Sequence, residues 1–147
     1  MTSRKPAVAW GIVVVSALVC LANGLAILGA VSALGQRPLH EVVATALLSA
    51  FVAGVSAFIL HGTVRATFRS RWAVSLYLWG ILIIYPAHNV LRAVGWYLPG
   101  PQLADTELAG AALAELIRYV VLLILIVWVA LSKALKVYFS KTVPSVA

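Results

Sequence analysis

The sequence predicts an all-α integral membrane protein, a four-helix bundle with both termini on the cytoplasmic side. Of its 147 residues, 63% are hydrophobic and only 10% are charged, and the mean hydropathy is +1.04. Soluble domains hold about 25% charged residues, so this composition requires lipid as part of the solvent. Four apolar runs approach or exceed the ~20 residues that a spanning helix needs, and basic residues collect between alternate runs. We therefore expect one transmembrane domain over residues 1–147.

Helix breakers and charges limit the four predicted spans, which cover about residues 7–34, 41–60, 72–97 and 113–137. Gly35 and Pro38 separate the first two spans, and residues 98–101, with two prolines, cannot continue a helix. A secretory signal is the alternative for the first run, because Arg4 and Lys5 precede it and residues 31–33 resemble a cleavage site. Its apolar core is longer than that of an ordinary signal, which favours a span.

The distribution of charge predicts the orientation. Both termini and the middle loop together hold eight basic residues and no acidic ones: Arg4, Lys5, Arg65, Arg69, Arg71, Lys133, Lys136 and Lys141. The opposite side holds three basic and four acidic residues: Arg37, Arg92, Arg118, Glu41, Asp105, Glu107 and Glu115. By the positive-inside rule, the first set faces the cytoplasm. The net charge of +7 therefore indicates topology and not a nucleic-acid surface.

Rows of small residues predict where helices approach each other closely. Contacts between helices in lipid depend on small side chains, because no hydrophobic drive brings the helices together. The rows at four-residue spacing are Ala22, Ala26 and Ala30 on the first span, and Ala46, Ala50 and Gly54 beside Ser49, Ala53 and Ala57 on the second. We expect the first two spans to form a close hairpin, and a face for an oligomer or partner is the alternative. Asn23 is expected to bond to a neighbouring helix.

Polar and ionisable side chains collect in the outer half of the third and fourth spans. Each costs free energy inside a membrane unless it is paired or hydrated. The candidate cluster comprises Tyr85, His88, Asn89 and Arg92 on the third span and Glu115 and Arg118 on the fourth. Helical spacing lets Glu115 pair with Arg118 locally or with Arg92 across the helices. Two interpretations stay open. One is an ion-pair network near the headgroups, and the other is a pocket for an anionic headgroup, a quinone-like ring or a partner subunit.

The sequence contains no motif for catalysis, metal binding or a cofactor. Cys20 has no second cysteine in the chain, which excludes an internal disulfide. His61 and His88 lie at different depths of adjacent spans and are poorly placed for one haem, and His40 with His88 is a weak metal signal. A phosphate loop, a nucleophile elbow and a histidine–glutamate metal motif are all absent from the sequence. We expect no enzyme activity, no cofactor and no metal.

The C-terminal part of the chain resembles a bacterial inner-membrane family. The resemblance lies in the string at 115–118, the pair Val127 and Trp128, and the ending at 132–139. These residues are similar to domain-of-unknown-function family 2569, whose small proteins commonly close with an isoleucine-tryptophan step and a serine-lysine-arginine-valine-lysine tail. Ala134 stands where the family has arginine, and the family's glycine-glycine-tryptophan opening is absent around Trp10. The resemblance implies a four-helix fold in a bacterial inner membrane and no particular activity.

Three functions are compatible with these features. The leading hypothesis is a noncatalytic accessory or structural subunit that packs against a larger membrane complex, because the loops are short and carry no recognisable chemistry. The alternative is a lipid- or quinone-binding membrane module that uses the outer polar cluster. A transporter or channel formed by oligomerisation ranks last, since it requires polar side chains over the full membrane depth. The expected partners are membrane lipids and other membrane protein subunits, and no nucleic acid.

Overall fold

The structure of the protein is a computed structural model that describes residues 5–68, 71–93 and 105–140, with the backbone alone at residues 92, 93, 105–109 and 111. This part of the chain contains no strand and forms five helices: α1 (Ala7–Ser32), α2 (Leu39–Arg65), α3 (Trp72–Ala93), α4 (Asp105–Leu131) and α5 (Lys133–Ser140). Four stretches are long and apolar enough to cross a membrane: Ala7–Ser32, Leu39–Arg65, Trp72–Leu91 and Ala112–Leu131. For the described residues, the predicted all-α class with four such helices is confirmed.

Most of the apolar surface of the four long helices faces outward. Only 22% to 33% of each candidate span is buried inside the chain. On α1, for example, Leu18, Leu21 and Leu25 are 60% to 62% exposed. Hydrocarbon solvates such side chains, while each helix satisfies its own backbone hydrogen bonds. The pattern is the one expected of a multi-pass membrane protein.

α1 and α2 form a hairpin, as their small residues predict. Gly35 turns the chain with a φ of +81°, a conformation that glycine adopts without strain. In the same turn the Arg37 N–H donates to the Ala33 carbonyl at 3.2 Å. Pro38 precedes α2, whose first turn carries Glu41, a favourable position beside the positive end of the helix dipole. The contact between α1 and α2 is the most extensive between helices in the described chain, so the predicted hairpin is confirmed.

A row of small polar side chains on these two helices is buried in the bundle. The row comprises Ser16 and Asn23 on α1 and Thr45, Ser49, Ser56 and Thr63 on α2, each at most 6% exposed. Tyr77 of α3 donates to Ser56 Oγ at 3.0 Å, which ties a third helix to the row. Asn23 Nδ2 donates to the Val19 carbonyl at 2.8 Å. The bond expected from Asn23 to a neighbouring helix is thus replaced by one along its own helix, a local partner that Asn side chains commonly find.

The predicted alanine and glycine rows lie partly outside this buried row. Ala30 is buried, Ala26 and Ala46 are half-buried, and Ala22, Ala50 and Gly54 are exposed. Of the second predicted row on α2, Ser49 is buried, Ala53 is half-buried and Ala57 is exposed, and the buried row on this helix runs through Thr45 and Ser49. Ala50 and Gly54 therefore do not make the hairpin contact, because the neighbouring hydroxyl row is small enough to make it instead. Their role in packing against another chain stays a prediction.

The fourth predicted span, 113–137, extends too far at its C-terminal end. The helix stops before Ser132, whose Oγ accepts a hydrogen bond from the Leu135 N–H at 3.1 Å. A serine in this position caps the start of a new helix, α5. Leu135 and Phe139 of α5 are at most 1% exposed, while its two lysines are exposed. The basic tail is therefore a separate short amphipathic helix and not the end of the span.

We name the end of the bundle formed by α5 and residues 66–68 the basal end. Here side chains donate hydrogen bonds to carbonyls in the last turns of the long helices. In these turns a helix offers its carbonyls fewer backbone N–H donors. The Tyr138 hydroxyl donates to the Thr63 carbonyl of α2 at 3.1 Å, and Arg71 Nη1 donates to the Ala130 carbonyl of α4 at 2.5 Å. Burial raises the pKa of Tyr138 above its ordinary value, so the phenol keeps its proton and remains a donor.

Helix packing is tight in the basal half of the bundle. Ile12, Leu78 and Val129, from three different helices, are fully buried there. A Cβ added at Gly11 would lie 3.1 Å from Leu125 Cδ1, so α1 and α4 are in close contact at this level. Farther from the basal end the same two helices leave a groove between them.

Candidate functional site: an apolar groove with a polar end

An apolar groove of about 520 Å³ lies between α1 and α4, with α3 as its floor. Its lining residues are Val15, Leu18, Val19, Leu21, Ala22 and Leu25 of α1, Ile81 and Tyr85 of α3, and Ala114, Ile117, Arg118, Val121 and Leu122 of α4. The groove opens sideways toward the bilayer, because wall residues such as Leu18 and Ile117 are 60% and 55% exposed. Its volume falls within the ~300–1,000 Å³ of small-molecule sites.

Two polar side chains line this groove, and they lie against each other. The Arg118 guanidinium carbon is 3.8 Å from the centroid of the Tyr85 ring, a cation–π contact. Arg118 lies six residues after Ala112, where the candidate span begins. A guanidinium at this depth is costly unless other groups solvate it.

Glu115 supplies the counter-charge one turn earlier on α4. It forms a salt bridge with Arg118 Nη2. Asn89 Nδ2 of α3 also donates to Glu115 Oε1, at 3.4 Å, which is long for such a bond. The Arg118 and Glu115 side chains are 36% and 32% exposed, so the pair is not sealed from its surroundings. The cluster connects α3 to α4 and stays accessible.

His88 extends the cluster along α3. It is 9% exposed, and its ring meets the Tyr85 ring edge-on, with 6.5 Å between the centroids. Five of the six predicted site residues therefore come together at one end of the groove: Tyr85, His88, Asn89, Glu115 and Arg118. The side chain of Arg92 lies outside the described residues, and its place in the cluster stays a prediction.

One donor of Arg118 has no acceptor in the part of the chain that the structure describes. Within residues 5–68, 71–93 and 105–140, nothing accepts a hydrogen bond from its buried Nε. A buried donor without an acceptor costs about 1–3 kcal/mol, and more if it is charged. The buried Nε is out of reach of a molecule in the groove, which can meet only the exposed part of the Arg118 side chain.

The side chains of this site offer groups that can recognise a ligand. Among the described residues, no group of three or more His, Cys, Asp or Glu side chains is placed to hold a metal ion. The carboxylate of Glu115 is engaged by Arg118 and Asn89. The groove itself offers a long apolar wall, the aromatic face of Tyr85 and the guanidinium donors of Arg118. This combination matches a molecule with an apolar chain and a polar head.

No protein-family model, curated protein or solved structure matches the chain. The resemblance of the C-terminal part to domain-of-unknown-function family 2569 therefore stays a prediction. The fold and the site define a class of protein: a multi-pass α-helical membrane protein with a lateral apolar groove that is lined by a tyrosine and by an arginine paired with a glutamate.

Proposed function

We propose that this protein is a noncatalytic membrane module that binds an amphiphilic, lipid- or quinone-like molecule in the groove between α1 and α4. One observation carries the proposal: the Arg118 guanidinium, stacked on Tyr85, lies at the end of an apolar groove that opens to the bilayer. An apolar chain would replace lipid along the walls, and a polar head would meet donors that hydrocarbon cannot satisfy.

Filling the groove will reduce this binding. Ala22 and Ala114 line it from opposite walls, so Ala22→Phe and Ala114→Phe place a ring where the chain of the ligand would lie. The full chain purified from its native membrane in mild detergent is analysed by native mass spectrometry for bound amphiphiles. We expect each variant to retain about tenfold less than the unaltered protein, a loss of ~1.4 kcal/mol in binding.

Ala17→Phe is the matched control for this experiment. Ala17 is on α1 and exposed, like Ala22, but it does not line the groove. We expect Ala17→Phe to retain as much amphiphile as the unaltered protein. Equal retention by all three variants, with unfolding temperatures unchanged, would exclude the groove as the binding site.

We further propose that the protein lies in a bacterial inner membrane with both termini and the basal end in the cytoplasm. The charge asymmetry supports this orientation. Trp10 and Trp72, 54% and 71% exposed, support only the position of the basal end near an interface. Amphipathic indole rings are typical of membrane–water interfaces. In this arrangement the polar end of the groove lies in the outer leaflet.

Cysteine labelling tests the orientation. Cys20 is the single cysteine, so a Cys20→Ser background accepts one new cysteine, either Gln36→Cys in the first turn or Lys136→Cys on α5. Both positions are exposed. In intact cells we expect an impermeant maleimide to label Gln36→Cys and to label Lys136→Cys only after lysis. The reverse pattern would invert the orientation.

An accessory subunit of a larger membrane complex is the second candidate, and Gly54 favours it. A Cβ added there would meet nothing within 4 Å in this chain, although glycine within a helix costs about 1 kcal/mol relative to alanine. With Ala46 and Ala50 it offers a face that another helix could approach closely. The same native mass spectra test this candidate, because a lone monodisperse monomer without a stoichiometric protein partner would exclude it.

A further inference from the structure

We infer that the groove selects amphiphiles whose head is an anion, and that Glu115 competes with this head for Arg118. The inference rests on the proposed function, since it names the chemical class of the ligand for the same groove. Two observations carry it: the accessible salt bridge, and the position of Arg118 among the lining residues.

The guanidinium of Arg118 has more donors than its partners use. A guanidinium carries five N–H groups in a fixed planar fork. Glu115 bonds to Nη2 and the Tyr85 ring lies against the guanidinium, while the Arg118 side chain is still 36% exposed. A carboxylate or phosphate head fits such a fork, because two of its oxygens can accept parallel hydrogen bonds.

Glu115 is held loosely enough for the head of a ligand to replace it at Arg118. Its pairing with Arg118 is local, three residues apart on one helix, and both side chains are about one-third exposed. Its other bond, from Asn89, is long at 3.4 Å. Glu115 therefore balances the charge of Arg118 when no ligand is present. An anionic head competes on equal terms, whereas a neutral head offers hydrogen bonds about half as strong.

Three probes with the same chain separate the alternatives. Hexadecanoate, hexadecyl phosphate and hexadecanol are titrated against the full-length protein in neutral detergent at mildly alkaline pH, and bound fractions are measured by native mass spectrometry. We expect the two anions to bind about tenfold more tightly than hexadecanol. The tighter of the two anions identifies a carboxylate or a phosphate head.

Substitutions of Arg118 and Glu115 test whether these two residues cause the preference for anionic heads. We expect Arg118→Gln to remove the preference for anions while hexadecanol still binds. Glu115→Gln should raise the affinity for anions severalfold and that for hexadecanol by less, because the competitor is gone and a neutral head bonds more weakly to Arg118. Arg65→Gln, at the opposite end of the bundle, is the control and should change nothing. If Arg118→Gln fails to fold, Arg118→Lys keeps the charge and should weaken the preference without removing it.

The outcomes keep the two proposals apart. Equal affinities for all three probes, still blocked by Ala22→Phe, would remove the anion inference and leave amphiphile binding intact. A fall in anion affinity in Glu115→Gln would also overturn the inference, because Glu115 would then support binding and not compete with it. Absence of binding by every probe would overturn the proposed function as well.

Discussion

Replacement of Phe139 by alanine will release α5 from the basal end and cost about 3–5 kcal/mol, as the loss of a buried phenylalanine commonly does. Phe139 is 1% exposed, and its ring meets the edge of the Phe68 ring, with 5.7 Å between the centroids. An eight-residue helix such as α5 is not stable alone in water. Undocking will therefore unfold it.

Hydrogen exchange of the α5 amides measures this effect. A loss of ~3 kcal/mol corresponds to about two orders of magnitude in protection, whereas α2, buried in the hairpin, should keep its protection. Val137→Ala is the matched control, because Val137 is on the same helix and 48% exposed. Slow exchange of α5 in Phe139→Ala would show that its docking depends on other contacts, such as the Tyr138 hydrogen bond.

The long helices could be predicted because hydropathy and helix breakers act locally. The structure starts α1 at Ala7 and α3 at Trp72, and the turn at Gly35 lies where predicted. The break at Ser132 could not be predicted in the same way. Lysines after an apolar run fit both a longer span with snorkelling side chains and a new amphipathic helix. The contact of Phe139 with Phe68, distant in sequence, decides between them.

The register of the hairpin was underdetermined for a related reason. On α2, the row that begins at Ala46 and the row that begins at Thr45 both contain small residues, so either can support a close approach. The buried side is the one with Ser49 and Ser56, where Tyr77 of α3 adds a hydrogen bond. A partner on a third helix cannot be read from the spacing within one helix.

The polar cluster was predictable and the groove was not. Helical spacing brings Tyr85 and His88 together on α3, and Glu115 and Arg118 on α4. In contrast, a groove wall and a lipid-facing surface are both apolar, so Leu18 and Ile117 carry no distinguishing pattern. The groove arises from the separation of two helices that touch at Gly11, and that separation is a property of the packed bundle.

The same substitution, glycine to alanine, should have opposite effects at two positions of α2. A Cβ at Gly62 would overlap the ring of Phe68, which is packed edge-on between Phe58 and Phe139, at 5.7 Å from each ring centroid. Moving that ring disrupts two aromatic pairs worth ~0.5–1.5 kcal/mol each. The loss outweighs the ~1 kcal/mol that alanine contributes to a helix. We expect Gly62→Ala to lower the free energy of unfolding by about 1 kcal/mol.

Gly54→Ala is the control, because a Cβ there meets nothing within 4 Å and only the helix propensity changes. It should raise the free energy of unfolding by about 0.5–1 kcal/mol. Both variants are measured by denaturant titration of the isolated chain in mixed micelles, which keeps any membrane partner out of the comparison. An increase in stability for both would mean that Phe68 moves without loss, and the basal end would then owe its stability to α5 and not to the Phe68 ring.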